Sequence, residues 1–328
     1  MDRVIDMPQL DGWIPIRLYW QEGKPIVDWC YLGERRFTDP FFSQTVEGCL
    51  RRPFNLLFRH QTPIEVLGKW HEFRPGLTPN GFIFHMSRCG STLISRMLAA
   101  VSQNIVISEA GLIDSAIRPK SRSTSGTGEQ RIEWLRWVVS ALGQPRLGTE
   151  KHLFIKFDAW NVLDLPLIRR AFPAVPWIFL YRDPVEVLTS QLGHRGAHMV
   201  PGLIEPAIFG MDHNTVITVS PEEYCARVLA SMCQAGLKHH QDGGMLMNYT
   251  QLPEAVWSAV LDFFGFSHTQ AEIDSMRAAA RRDAKNPYLP FAADTARKEQ
   301  KSTAPVREAA REWLYPLYEQ LEAARLGQ

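Results

Sequence analysis

No stretch of this chain approaches the ~20 consecutive apolar residues that a membrane-spanning helix requires, so a spanning protein is excluded. Cysteine is scarce and unpaired. Cys30, Cys49, Cys89, Cys225 and Cys233 are an odd number at unrelated spacings with no C-x-x-C. They read as reduced thiols, which excludes a disulfide framework or a zinc site. An excess of one charge is also missing: 36 basic residues face 35 acidic ones, for a net charge of +1. Nothing in that balance calls for a nucleic acid or heparin-like partner, so any anion must be held by local basic sites. Residues Met1 to Asp6 show no basic segment leading into an apolar one, so no secretory signal is read and a cytoplasmic location is expected. Repeats are absent, and no cluster of His, Cys or carboxylates stands at ligand spacing, so no metal is expected.

What is present suffices for a sizeable core. With 328 residues, 45% hydrophobic and 22% charged, the chain has room for one large domain and a small accessory unit. Residues 1–78 differ in texture from the rest. Trp13 to Trp20 and Pro25 to Trp29 are short β-like runs separated by the turn signal Glu22-Gly23-Lys24, which predicts a small β-rich or mixed N-terminal unit whose aromatics form its own core. From Gly81 onward strand and helix patterns alternate, the signature of parallel strands joined by helical crossovers. The predicted strands are 81–86, 104–108, 153–157, 177–181 and 244–248. The predicted helices are 91–101, 129–142, 164–171, 184–192, 221–239, 253–264, 271–282 and 304–325. The expected fold class is α/β, a parallel β-sheet flanked by helices over residues 79–328, with the small unit at 1–78. Ser115 to Gly128, which includes the basic run Arg118 to Arg122, has loop composition. His194 to Asn214 is a second long irregular stretch, of the length at which loops shape binding pockets.

The most informative segment is Phe82 to Ile94. An apolar strand enters a short polar loop and then an amphipathic helix that opens on Ser91-Thr92. That order aims unpaired backbone N–H groups and two hydroxyls at one point, where a phosphate would sit. The nucleotide-hydrolase pattern G-x-x-x-x-G-K-[ST] is not met: Ser91 stands where the lysine belongs, and the cation, Arg88, precedes the glycine. A second segment has a related design. Trp177 to Tyr181 is an apolar strand that ends at Arg182-Asp183-Pro184, and a helix follows with Pro184 near its first turn. Arg182 and Ser190 lie two helical turns apart and are able to grip one dianion from two sides. A salt bridge from Arg182 to Asp183 or Glu186 is the plainer alternative.

Ser87-Arg88-Cys89-Gly90-Ser91-Thr92-Leu93 resembles the 5′-phosphosulfate loop of the sulfotransferases that use 3′-phosphoadenosine 5′-phosphosulfate (PAPS). That loop usually reads P-[KR]-S-G-[ST]-[ST]-[LW], and the chain departs from it at Ser87 and Cys89. The family also carries an arginine at the later strand end and a serine eight residues on, both on the nucleotide 3′-phosphate, a spacing that Arg182 and Ser190 match. Close resemblance covers 81–112 and 153–192, with fainter similarity over 244–266, and it does not reach the N-terminal unit. It implies a phosphate-loop fold, PAPS as co-substrate, adenosine 3′,5′-bisphosphate as product and no metal. It also implies that the N–H groups of Gly90, Ser91 and Thr92, with Cys89 in the same loop, hold the 5′-phosphate.

Sulfuryl transfer by in-line displacement needs a cation on the leaving oxygen, donors on the sulfuryl oxygens and a base on the acceptor. By resemblance to the tyrosylprotein sulfotransferases, Arg88 covers the leaving group. In those enzymes a glutamate closes the next strand, about twenty residues past the loop cation, and Glu109 falls at that place. A raised pKa would make it a general base; surface capping is its alternative role. In cytosolic sulfotransferases a strand end reads K-T-H. Here it reads Lys156-Phe157-Asp158, so the lysine that contacts the sulfuryl group is kept and the histidine base is absent. Asp158 is then a second base candidate, a substrate contact or the ion-pair partner of Lys156. Tyr249, near the family's Y-E-D-L strand end, is expected to line the nucleotide pocket or to pack inside. Arg297 to Ser302 is similar to a basic loop used against the 3′-phosphate. His85 is expected to pack in the strand layer, while His194 and His198 face the acceptor or solvent. Beside Arg88 and a helix terminus, the Cys89 thiol is expected to be acidic. The function expected is sulfuryl transfer from PAPS to a hydroxyl or amine acceptor of unidentified class. The alternatives are a metal-dependent NTPase or kinase, with Phe154 to Asp158 as a Walker-B-like strand, and a non-catalytic nucleotide-binding scaffold.

Overall fold

A computed structural model describes residues 9–119, 126–286, 288–290 and 300–327. Lys120 to Arg122 and Arg297 to Glu299, two parts of the basic stretches noted above, lie outside the described residues.

Apolar runs bounded by turn residues become five parallel strands: β4 (Pro79–His85), β5 (Asn104–Ser108), β6 (His152–Lys156), β7 (Trp177–Tyr181) and β8 (Gly244–Asn248). Their spatial order is β5-β6-β4-β7-β8, with every pair parallel. These strands are buried on both faces, as a sheet covered by crossover helices must be. Phe82, Phe84, Phe154, Phe179 and Trp177 have no exposed surface, and Phe84 stacks on Phe157 at 4.7 Å between ring centroids. The chain starts this sheet in its middle, works outward to β5, returns through β6 and then crosses to β7 on the other side. β4 is therefore the point where the winding reverses, and the crevice beyond its carboxyl end is where open α/β sheets bind ligands.

The five predicted strands agree with the observed ones to within two residues. Helices α4 (Ser91–Ala99), α6 (Gly128–Leu142), α7 (Leu165–Ala171), α8 (Pro184–Gly193), α10 (Pro221–His239) and α12 (Gln270–Ala280) also fall where expected. The predicted helix 253–264 is present over 254–263, with a wide π-helical turn, Val256–Val260, inside it before α11 (Leu261–Phe263). The final helix is interrupted in the same way: α13 (Ala304–Ala309) and α14 (Tyr315–Leu326) are joined by a π-helical turn, Ala310–Leu314. Pro316 explains that break, since it has no N–H to return to the preceding turn. Five α-helices among the described residues were not foreseen. One is α5 (Gly111–Ile117), which ends inside the stretch 115–128 read as loop; another is α9 (His213–Thr218), which buries no residue and is capped by the Asp212 carboxylate.

The other three lie in the N-terminal segment, which is mixed and not purely β. β1 (Trp13–Gln21) and β2 (Lys24–Tyr31) form the expected hairpin, and β3 (His60–Pro63) pairs antiparallel with β2. Between and after them lie α1 (Phe42–Leu50), α2 (Pro53–Leu57) and α3 (Glu65–Phe73). α1 buries Phe42, Thr45, Val46 and Cys49, a spacing of three and four that marks one helical face. This sheet packs on the large domain through Trp20 and Trp134, 6.0 Å apart. Arg36 also donates to the carbonyls of Ala99 and Val101 at 2.8 and 2.6 Å.

Candidate active site

A cavity of about 640 Å³ opens at the carboxyl end of β4, the winding reversal point, and its walls carry most of the predicted site residues. Volumes of this order hold a nucleotide-sized ligand.

The loop from β4 to α4 forms its floor. Ser87 and Arg88 both take left-handed backbone angles, with φ of 73° and 51°, and Gly90 follows at φ 94° as the cap of α4. Two non-glycine residues in that region carry strain, which persists only where the surroundings over-determine the loop. The surroundings do so here. The Ser87 N–H donates to His85 Nδ1 at 3.0 Å, Gln191 Nε2 donates to Ser87 Oγ at 2.8 Å, and Arg88 Nη2 donates to the His194 carbonyl at 2.6 Å. A Cβ at Gly90 would stand 2.8 Å from the Tyr249 ring and 3.0 Å from Leu252, so no larger residue fits. Gly90, Ser91 and Thr92 all line the cavity, and successive N–H groups turned to one side form a nest suited to an anion.

Arg182 approaches from the end of β7. Its guanidinium is 5% exposed, lies 3.8 Å from the centroid of the Tyr249 ring and is ion-paired with Glu186. The plainer of the two expectations is therefore met at Glu186, while Arg182, Ser190 and Tyr249 all face the same cavity. Asp183 does not compete for the arginine. It caps α8 by accepting from the Glu186 N–H at 3.0 Å, and it accepts from the Tyr315 hydroxyl at 3.0 Å.

Beyond Arg88 the two carboxylates separate into different environments. Lys156, with no exposed surface, donates to Glu109 at 2.7 Å and to the Thr92 hydroxyl at 3.2 Å, and its Nζ lies 4.9 Å from the Phe41 ring centroid. His85 Nε2 stands 3.5 Å from the same carboxylate oxygen of Glu109. Burial alone would raise the Glu109 pKa, but Lys156 and His85 outweigh it and hold the carboxyl well below its usual range. The expectation of a raised pKa at Glu109 is thus corrected. Glu109 is no surface cap either, for its backbone takes φ 54° and its N–H donates to the Lys156 carbonyl at 2.8 Å.

Asp158 shows the opposite behaviour. Burial, followed by the negative charges of Glu109 and Asp114, raises its pKa well above the usual value against the pull of Lys156. Lys156 pairs with Glu109 and not with Asp158, so the ion-pair role for Asp158 is also corrected. Asp114 is fixed by Trp160 Nε1 at 2.7 Å and Asn161 Nδ2 at 2.9 Å. Two carboxylates whose environments push their pKa values apart are the arrangement from which acid–base roles are read.

Two further expectations change. Lys156 underlies the cavity and is not among its lining residues. Cys89 is fully buried and donates to the Leu180 carbonyl at 3.1 Å, and burial pushes its thiol up to about 12, against the expected acidity. The helix terminus lies beside it, but desolvation of a thiolate costs more than that dipole returns.

The opposite wall holds His198, expected to face the acceptor or solvent, together with three residues that the sequence did not point to. Phe41, from the N-terminal segment, and Trp160 bring aromatic surface. His198 is 5% exposed, its ring lies 5.4 Å from that of Trp160, and burial lowers its pKa to about 4. It is therefore a neutral imidazole at physiological pH, and neither ring nitrogen has a partner among the described residues. Lys285 reaches the rim from the segment after α12, with its pKa lowered to about 8 by burial and by the charges of Arg88 and Lys156. Of these, the sequence pointed only to His198, within the irregular stretch 194–214; Phe41, Trp160 and Lys285 carried no signal.

No family model matches the chain, and no curated protein does either. Among solved structures it is similar to a sulfotransferase from Alicyclobacillus acidocaldarius at 14% identity and a TM-score of 0.45, covering 76% of this chain and 96% of that one. It is also similar to the sulfotransferase STF9 from Mycobacterium avium at 13% identity and a TM-score of 0.47, over 76% and 80% of the two chains. A third is a retinol dehydratase bound to retinol and PAP, at 14% identity and a TM-score of 0.33, over 81% of this chain and 89% of the other.

Proposed function

We propose that this protein transfers a sulfuryl group from PAPS to a hydroxyl or amine acceptor. The observation that carries the proposal is the convergence of four elements on one cavity: the strained loop and its helix N-terminus, Arg88, the Arg182–Ser190 pair, and two carboxylates of opposed pKa. The chemistry of these donors fits a bisphosphorylated nucleotide. The N–H groups of Gly90, Ser91 and Thr92 suit a 5′-phosphate, and a buried guanidinium with a nearby hydroxyl suits a 3′-phosphate. Tyr249, already carrying the Arg182 guanidinium on one face, forms part of the nucleotide wall. When bound, PAPS supplies the activated sulfuryl group.

The chain's own residues then have separable tasks. Arg88, held by the His194 carbonyl, stabilises charge as it develops on the leaving oxygen. Asp158, whose raised pKa makes it the stronger base, takes the proton from the acceptor. Glu109 keeps Lys156 paired and maintains the negative potential that raises Asp158. This assignment gives Asp158 the role first expected of Glu109.

The direct test is a thermal-shift titration with adenosine 3′,5′-bisphosphate, compared with AMP and with ATP in the presence and absence of magnesium. At 100-fold over its dissociation constant a ligand specific to the folded state adds about 2.7 kcal/mol. Stabilisation by the bisphosphate, reduced in Ser190→Ala and Arg182→Ala, is the expected result. Stabilisation by ATP and magnesium alone would replace this reading with a kinase or NTPase.

A further inference from the structure

Residues 51–60 read Arg-Arg-Pro-Phe-Asn-Leu-Leu-Phe-Arg-His, and all of them except Asn55 and His60 are exposed. Phe54 is 44% exposed, Leu56 57%, Leu57 77% and Phe58 54%. Four large apolar side chains displayed together by ten residues form an unusual surface, since contiguous exposed apolar patches on soluble domains mark interaction sites.

This segment is held outward by specific bonds. Asn55 is buried and acts as a bolt. Its Oδ1 accepts from the Tyr31 N–H at 2.8 Å, and its Nδ2 donates to the carbonyls of Tyr31 at 2.8 Å and Cys49 at 3.0 Å. These bonds fix α2 to β2 and to the end of α1. Aromatic packing braces the base of the patch, with Phe54 against Tyr31 at 4.8 Å and against Phe58 at 4.9 Å. The apolar groups are thus presented on a fixed support.

Charge indicates what the patch meets. Arg51, Arg52 and Arg59 are exposed on both sides of it, and none has an ion-pair partner among the described residues. From Gly48 to Ile64 the sequence contains no Asp or Glu. A second copy of the chain, docked patch to patch, would bring two such arginine sets together at like sign. Apolar tips ringed by arginines instead match a surface with an apolar interior under a layer of negative charge.

We infer that residues Arg51 to Arg59 form a docking site for anionic lipid bilayers, with Leu56, Leu57 and Phe58 entering the interface and Arg51, Arg52 and Arg59 contacting lipid headgroups. The mode is peripheral, and no described helix is long and apolar enough to cross a membrane. The inference is independent of the reaction proposed above.

The test is sedimentation of the full chain with phosphatidylcholine vesicles, with and without phosphatidylserine. Co-sedimentation is expected with the anionic vesicles and should weaken as salt is added. Arg52→Glu and Arg59→Glu should each lower partitioning about five-fold or more, and Leu57→Ser about ten-fold. All three positions are exposed, so an unchanged circular dichroism spectrum and melting midpoint will separate lost binding from lost folding. Failure of the wild-type chain to sediment, or equal binding by the variants, overturns the inference. So does a concentration-dependent dimer in light scattering that Leu57→Ser dissolves, with no vesicle binding, since the patch would then be covered by a second copy.

Discussion

The two walls of the central cavity are built on different plans. The floor and the wall proposed to hold the nucleotide come mostly from two short stretches, 87–92 and 182–190, each a strand end that turns into a helix, with Tyr249 added from the segment after β8. The opposite wall is assembled from Phe41, Glu109, Asp158, Trp160, His198 and Lys285, six positions drawn from five segments. A phosphate is gripped by consecutive backbone N–H groups, which only neighbouring residues can offer. An acceptor is met by side chains, which any part of the chain can deliver. The first kind of site leaves a motif in the sequence and the second does not.

The sharpest way to break this division is at Asp158, where the second wall is proposed to perform chemistry. Asp158→Asn should lower kcat by roughly 10²–10⁴-fold, the range of a positioned general base, with little change in bisphosphate binding. If Glu109→Gln causes that loss and Asp158→Asn does not, the roles of the two carboxylates are reversed. Activity assays with any accepted acceptor, alongside calorimetric binding of the bisphosphate, separate these cases.

The first wall is probed at Arg182. Arg182→Ala should weaken adenosine 3′,5′-bisphosphate by roughly 10–150-fold, the worth of hydrogen bonds to a charged group. It also removes one side of the buried Arg182–Glu186 ion pair, so the melting temperature measured without nucleotide should fall as well. Ser190→Ala removes one hydroxyl without that cost. Its loss of affinity, measured by titration calorimetry at an unchanged melting temperature, isolates the binding role.

A smaller effect tests the coupling between the carboxylates. A base must be ionised, so activity on the acid side should rise with pH through the Asp158 pKa. Glu109→Gln removes a negative neighbour and releases Lys156, and both changes lower that pKa. The acid limb of kcat/KM should therefore move to lower pH. An unmoved limb would show that Asp158 is not the group being titrated.

The smallest effect is expected at the rim. Lys285, with its pKa lowered to about 8 by burial and the nearby cations, becomes a better partner for a bound anion when protonated. Bisphosphate affinity should therefore be greatest below pH 8 and fall a few-fold as pH rises through it. Lys285→Met should flatten that dependence in calorimetry between pH 7 and 9. A slope that survives the substitution assigns the titration to another group.

Much of this molecule was legible before its structure. The five parallel strands were located because each is a short apolar run, buried on both faces and closed by turn residues. The turn from β4 into α4 was visible because Gly90 and the Ser91-Thr92 pair must stand together for α4 to start there. The interrupted helices were less legible: periodicity marks which face is buried, while the π-helical turns near Val256 and Ala310 depend on local backbone bonding. The N-terminal helices were missed because the paired aromatic runs of β1 and β2 dominate the pattern around them.

The sequence by itself determined the sheet, the strand–loop–helix turn at 87–92 and the Arg182–Ser190 spacing, because each follows from residues close along the chain and from backbone geometry. Tertiary structure alone decided which carboxylate is held ionised. Glu109 and Asp158 are similar acids in sequence, and their difference arises from Lys156 reaching one of them at 2.7 Å while burial and neighbouring negative charge act on the other. It likewise decided that Cys89 would be inert, His198 neutral and Phe41 part of the site. Electrostatic environment and burial are sums over everything packed nearby, and most of those neighbours are distant in the chain.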